Sequence, residues 1–298
     1  LSKSTTSWCA IAAALRGWMS VGGVLRCWTG AGTGDCCEPW IRCKRPIALK
    51  VPASTCHGMD RFRVDLIAAT PNPQRCIYAA MHQDYSEGYV VADQAEWPDE
   101  ARAGEVCVKR LLSGERGHYG PLEHAQIVLN VGWFPHSVMQ QARTHRVGVS
   151  FDVQSMRYTG DRICRAARGE LDLEDVFYLR PIGSYSDRQG KKYQYTEVER
   201  AKDLDHCRRS AERYAEMLEA GFAEEHARGI LPFDYRQHFV VSFTLRAFLH
   251  FMDLRAKLDA QEEIRQMCDL MWPHMVQWAP EIAAWYEKSR LHKARLAP

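Results

Sequence analysis

The sequence predicts an α+β fold. Three observations carry that prediction. Long stretches of the C-terminal half place apolar residues at helical spacing, a few short β-prone runs lie among the helices without regular alternation, and no internal repeat occurs in the 298 residues. Residues 59–67 begin Met59-Asp60-Arg61-Phe62-Arg63-Val64 and alternate apolar positions, which reads as a strand. Pro98-Asp99-Glu100 opens a helix with a proline and acids in its first turn. Val106, Val108, Leu111 and Leu112 supply its apolar side, and Gly114 and Gly117 close it. Residues 125–133 read as a strand. Residues 136–146 read as a helix, with Val138, Met139 and Ala142 on one side and Gln141 and His145 four apart on another. The Arg-rich segment that follows reads as a loop. Residues 174–179 read as a strand, 193–221 as a long charged helix ended by Gly221, and 223–230 as a short helix stopped by Pro232. Residues 239–244 are β-rich. Helices are expected over 245–255 and 260–272, the latter carrying Ile264, Met267, Cys268 and Met271.

Composition excludes some classes. A hydrophobic content of 46% suffices for a core, and no run reaches the ~18 uninterrupted apolar residues of a membrane helix. The net charge of +2 gives no general argument for nucleic acid. That average hides a split: residues 1–58 carry a net +5, six of the eleven cysteines and four of the nine tryptophans, whereas 59–298 carry a net −3. Residues 1–58 lack the unbroken apolar stretch of a secretory signal, and they are too rich in cysteine and tryptophan for a transit peptide. They are expected to be a leader outside the native protein, with Met59 as the natural first residue and 59–298 as the one domain. Cys36, Cys37 and Cys43 have no paired zinc spacing, and the scattered cysteines beyond the leader suit reduced thiols in a cytoplasm.

The richest segment is Gln141-Ala142-Arg143-Thr144-His145-Arg146-Val147-Gly148-Val149-Ser150-Phe151-Asp152-Val153-Gln154-Ser155-Met156-Arg157-Tyr158. Planar guanidinium forks suit phosphate, and so many donors on one segment point to an anion site. A solvated charged loop is the alternative, but Val147, Val149, Phe151, Val153 and Met156 call for partial burial. A second segment, Gly117-His118-Tyr119-Gly120-Pro121-Leu122-Glu123-His124, offers two histidines and a glutamate. Its His-x5-His spacing is uncommon for zinc, and a turn with capping histidines explains it equally well. A third comprises Ala227-Arg228-Gly229-Ile230-Leu231-Pro232, then residues 245–255, where Arg246 and His250 share a helix face and Arg255 sits at the helix end.

Together these segments resemble the flavin-dependent thymidylate synthases. That family carries Arg-His-Arg, a spacer of seven or eight residues, then serine and Arg-Tyr. Here His145-Arg146 is followed by eight residues, Ser155, and Arg157-Tyr158, with Thr144 in place of the first arginine and Arg143 one residue earlier. The family's His, Pro and Glu-His order is kept, with Gly120 where serine or threonine is usual. Its Ala-Arg-x-x-Leu-Pro matches 227–232, and its C-terminal block matches 245–265, with Thr244 and His250 at positions often held by asparagine.

The resemblance implies a mainly antiparallel sheet with long helices, assembled as a homotetramer in the cytoplasm. It implies reductive methylation of dUMP to dTMP, with 5,10-methylenetetrahydrofolate as carbon donor and NADPH-reduced FAD as hydride source. It assigns Gln141, Gln154, Ser155, Met156, Arg157, Arg228 and Arg255 to dUMP, with Arg255 as the catalytic cation beside the uracil. It assigns His118, Gly120, Thr144, His145, Arg146, Thr244, Arg246 and His250 to the flavin. No metal, nucleic-acid or membrane partner is expected. The chain has no G-x-G-x-x-G fingerprint, so a flavin would not sit on a Rossmann unit. Ser155 has no base paired with it in sequence and reads as a binding group rather than a nucleophile. The competing reading is a non-catalytic nucleotide- or RNA-binding protein, using Arg143, Arg146, Arg157 and Arg162 with Tyr158 as a stacking and phosphate surface.

Overall fold

The computed structural model describes residues 61–114, 117–187 and 189–293. The expectations for the leader at 1–58 and for a start at Met59 lie outside the described residues. In chain order the elements are β1 (Arg63–Ala69), α1 (Pro73–Gln83), α2 (Glu100–Cys107), β2 (Gln126–Pro135), α3 (His136–Ala142), β3 (Val149–Val153), α4 (Met156–Thr159), α5 (Asp161–Ala167), α6 (Leu173–Val176), β4 (Gly183–Ser186), β5 (Lys192–Tyr195), α7 (Glu197–Glu219), α8 (Glu224–Ala227), β6 (Arg236–Thr244), α9 (Leu245–Arg255), α10 (Glu262–Trp278) and α11 (Pro280–Ser289).

The main sheet has the order β1-β2-β6-β3 with every pair antiparallel, as expected of an α+β fold. Alternation along the two central strands buries Ile127, Leu129 and Val131 of β2 and Phe239, Val241 and Phe243 of β6. Phe248 and Phe251 of α9, Ile264, Met267 and Met271 of α10, and Ile282 of α11 complete this core. A second core joins Ile163 of α5, Val176 of α6, Cys207, Ala211 and Tyr214 of α7, and Ala227 of α8. Arg236, fully buried, donates to the carbonyls of Glu174 and Trp133, both at 2.6 Å. Burial pushes its pKa down to about 10.

Five sequence readings are corrected. Residues 174–179 are not a strand: Asp172 accepts from the Glu174 amide at 3.0 Å, its cap starts α6, and Phe177 forms only an isolated bridge with Tyr235. The segment after His145 is not all loop, because Val149, Phe151 and Val153 alternate and pair with β6 as β3. The helix read over 136–146 stops at Ala142, the Arg143 and His145 amides turning back onto Met139 and Ala142. The long charged helix starts at Glu197 behind the Thr196 cap, and residues 192–195 pair with β4 instead. Helix α10 also runs past Pro273 to Trp278, beyond the expected end. Burial of Met275 and Trp278 outweighs the cost of a mid-helix proline, about 3 kcal/mol.

Candidate active site

The link from α3 to β3 lies against the N-terminus of α9, and Gly148 is why it can. Gly148 has φ +68°, and a Cβ there would lie 2.5 Å from Thr244 Oγ1 and 3.1 Å from Glu123 Oε2. Its carbonyl accepts from the Thr244 amide at 2.8 Å. Thr244 caps α9, accepting from the Ala247 amide at 3.2 Å, and donates to Glu123 at 2.6 Å. Arg246 donates to the other Glu123 oxygen at 3.3 Å. Glu123 therefore organises two of the expected flavin residues. The sequence reading named it only as a possible ligand in the His118 segment.

At the far end of α9, Arg255 closes onto the end of α3. Its Nε donates to His145 Nε2 at 3.1 Å, and its Nη2 donates to the Gln141 carbonyl at 3.0 Å and to Thr144 Oγ1 at 2.8 Å. Its Nη1 donates to none of the described residues. The His145 ring packs on His250 and Phe251 at 5.7 and 4.8 Å between centroids. Burial, with Arg255 and then His250 nearby, pushes its pKa down to about 4, so the imidazole is neutral at neutral pH. Burial also lowers Arg255 from its usual value, but a guanidinium remains a cation. The Gln141 side chain donates to Gln261, tying α3 to the start of α10.

Three adjoining hollows run past these groups. A groove of about 610 Å³ is lined by Arg143, Thr144, Arg146 and Ser150. It shares Thr144, His145, Arg146 and Val149 with a second hollow of about 290 Å³. That one shares Val147, Ala247 and His250 with an apolar cavity of about 240 Å³, lined by Leu112, Tyr119, Leu122 and Trp285. The trough is thus cationic at one end and apolar and aromatic at the other. Trp285 escaped the sequence reading because only the packing of α11 brings it here.

The remaining candidates sit elsewhere. Gln154, Ser155, Met156 and Arg157 follow the other end of β3. The Gln154 amide donates to the His238 carbonyl at 3.0 Å, Ser155 precedes α4, and Met156 is buried. The Gln154 Oε1 atom is buried without a donor. Arg157 is exposed and pairs with Glu225 at 3.4 Å, and Arg228 is exposed beyond α8. Five residues of strand separate Gly148 from Gln154, a span of roughly 20 Å, so the Arg157 group lies at the opposite end of β3 from Gly148. The His145 ring meets Arg255 rather than Ser155. His118 is exposed and meets Asp84 at 2.9 Å. A side chain at Gly120 would meet nothing within 4 Å, so the fold leaves open space at this position. Among the described residues no cluster of three metal-ligating side chains occurs.

This fold is shared with nucleotide methylases of known structure. The UMP/dUMP methylase PolB from Streptomyces cacaoi, solved with 5-Br dUMP, superposes with a TM-score of 0.59 at 19% identity, covering 78% of this chain and 97% of that one. Thymidylate synthase X from Helicobacter pylori, solved with FAD and dUMP, gives 0.55 at 15% identity over 74% and 99%. Residues 65–281 match the family described as "Thymidylate synthase complementing protein". The flavin-dependent thymidylate synthase of Haloarcula marismortui is 35% identical over 248 residues, 79% of this chain and 99% of its own. That of Nitratidesulfovibrio vulgaris is 29% identical over 238 residues, 74% and 85% respectively. The chain belongs to the flavin-dependent thymidylate synthase family.

Proposed function

We propose that this chain methylates dUMP to dTMP, taking its carbon from 5,10-methylenetetrahydrofolate and its hydride from FAD reduced by NADPH. The observation that carries the reading is the Arg255 fork, a fixed cation beside the long trough. The trough's chemistry fits a flavin dinucleotide. Arg143 and Arg146 make no ion pair with the described residues and offer donors to a pyrophosphate, while the cavity beside Trp285 suits a planar ring. Arg146, Arg246 and His250 would hold the cofactor, whose bound form supplies the hydride. Thr244 reaches it only through the Glu123 network, and His118 and Gly120 lie at the exposed edge.

Arg255 would lie beside the uracil. Negative charge must build on that ring before carbon 5 can attack, and a preorganised cation stabilises the charge without being deprotonated. Arg157 and Arg228 would take the phosphate, with the backbone of 154–156, Ser155 and the unsatisfied Gln154 oxygen completing the nucleotide site. Among the described residues, Arg157 and Arg228 form no hydrogen bond or ion pair with the Arg255 group. We propose a homotetramer with shared active sites, supported by the exposure of Tyr158, Val147, Ile230 and Phe233 around the candidate residues. The five described cysteines are free, which supports a reducing, cytoplasmic setting. No helix among the described residues is long and apolar enough to cross a membrane. The RNA-surface alternative loses one of its arginines, since Arg162 turns inward onto the Arg236 carbonyl.

The test is a visible spectrum of the purified protein with FAD, followed by a dUMP-to-dTMP assay. A flavin spectrum bleached by NADPH, with dTMP formed, is the expected result. A colourless protein that takes up no FAD overturns the reading.

A further inference from the structure

Thr144 stands within the trough, yet its hydroxyl is already committed. A threonine hydroxyl has one proton to donate. Here that proton goes to the Gln141 carbonyl at 2.7 Å, while the oxygen accepts from Arg255 Nη2 at 2.8 Å. A pyrophosphate oxygen brings no proton, so it could bind Thr144 only by taking the one that Gln141 holds. His145 is committed in the same direction, because its Nε2 accepts from Arg255 Nε. Two of the three guanidinium nitrogens are thus fixed by a hydroxyl, a carbonyl and a neutral imidazole. Arg246 and Arg290, by contrast, are each held by a carboxylate. Neutral acceptors orient Arg255 without cancelling its charge, and they leave Nη1 unused among the described residues. In the same groove Arg143 is exposed, one residue before Thr144, and has no carboxylate partner among the described residues.

We propose that Thr144 and His145 are positioning residues that hold Arg255, and that the anion contact in their groove falls to Arg143. This rests on the role given to Arg255 above. The chain then divides the labour of one short segment. Arg143 and Arg146 face the cofactor's phosphates, and the two residues between them serve the substrate-side cation.

The experiment compares full-length wild type with T144V, T144S and R143A. FAD affinity is read by flavin fluorescence, and kcat and KM for dUMP by steady-state turnover. T144V, which is isosteric but lacks the hydroxyl, is expected to bind FAD within about twofold of wild type and to lose roughly tenfold in kcat. T144S is expected to recover most of that loss, which a merely space-filling role would not do. R143A is expected to weaken FAD roughly tenfold or more. A T144V protein that loses FAD as severely as R143A overturns the proposal, as does one that turns over at the wild-type rate. Wild type that fails to bind FAD, or R255A that turns over normally, removes the functional reading beneath it instead, whatever Thr144 does.

Discussion

The two ends of β3 differ in how much of a site each already holds. In the segment that leads into β3, His145, Thr144 and Gln141 form a closed set of hydrogen bonds with Arg255, and Glu123 locks Thr244 and Arg246 at the other end of α9. At the Gln154 end, Arg157 is exposed with one surface partner, Arg228 is open, and the Gln154 oxygen waits for a donor. The first end is preorganised by the chain itself, and orienting a charge before the reaction is the efficient way to stabilise a transition state. The second end is a set of polar groups still open to a ligand or another copy. The comparison separates residues that should affect rate from residues that should affect binding.

The largest expected effect is at Arg255. Replacing it with alanine removes the fixed cation and should lower kcat by a factor on the order of 10²–10³, while FAD stays bound. Turnover of R255A near the wild-type rate would show that the closed end is structural only.

The second effect lies at the open end. Arg157→Ala should raise KM for dUMP by roughly 10- to 100-fold, the range for a lost hydrogen bond between charged groups, and should leave FAD affinity unchanged. The ion pair with Glu225 is surface-exposed and worth little, so E225Q should not reproduce the defect. A fall in kcat at saturating dUMP, with KM unchanged, would move Arg157 to the rate-determining side of the comparison.

What the sequence made legible follows the same division. The elements that build the closed end were readable where periodicity and caps agreed: α9 was expected over the residues it occupies, and β2 and β6 within a few residues. The site residues were found through their spacing and their resemblance to a family. Their partners were not. Glu123 meets Thr244 and Arg246 across more than 120 positions, and no local pattern announces a contact of that range. The strand β3 was hidden because its Arg- and Ser-rich flanks suggest a loop, although Val149, Phe151 and Val153 alternate as an edge strand should. The acids at 172–175 suggested nothing special, yet they cap α6 and cancel the strand read there. In the sequence Thr144 stands where the family has an arginine and is assigned to the flavin. Only the geometry shows that its hydroxyl serves Arg255.

The smallest effect concerns pH and isolates His145 from its neighbours. In the fold its pKa is pushed down to about 4 from an ordinary 6.5, first by burial, then by Arg255, then by His250. The unfolded chain therefore binds a proton, between those two values, that the folded chain refuses. The penalty vanishes about one unit above pH 6.5. It grows as the pH falls towards 4 and amounts to about 2 kcal/mol near pH 4.5. Arg255 and His250 from α9 are the charged or titratable groups that act on the ring, with Arg146 next to it in the chain. His145→Gln keeps an acceptor for Arg255 Nε and removes the titration. Urea melts at pH 7 and pH 4.5 should therefore show wild type losing more stability than H145Q by roughly that amount. An identical loss in both proteins would mean that the ring is protonated as readily in the fold as in the unfolded chain. The neutral cradle for Arg255 would then not exist at acid pH, and the contrast between the closed and open ends of β3 would rest on Thr144 and Gln141 alone.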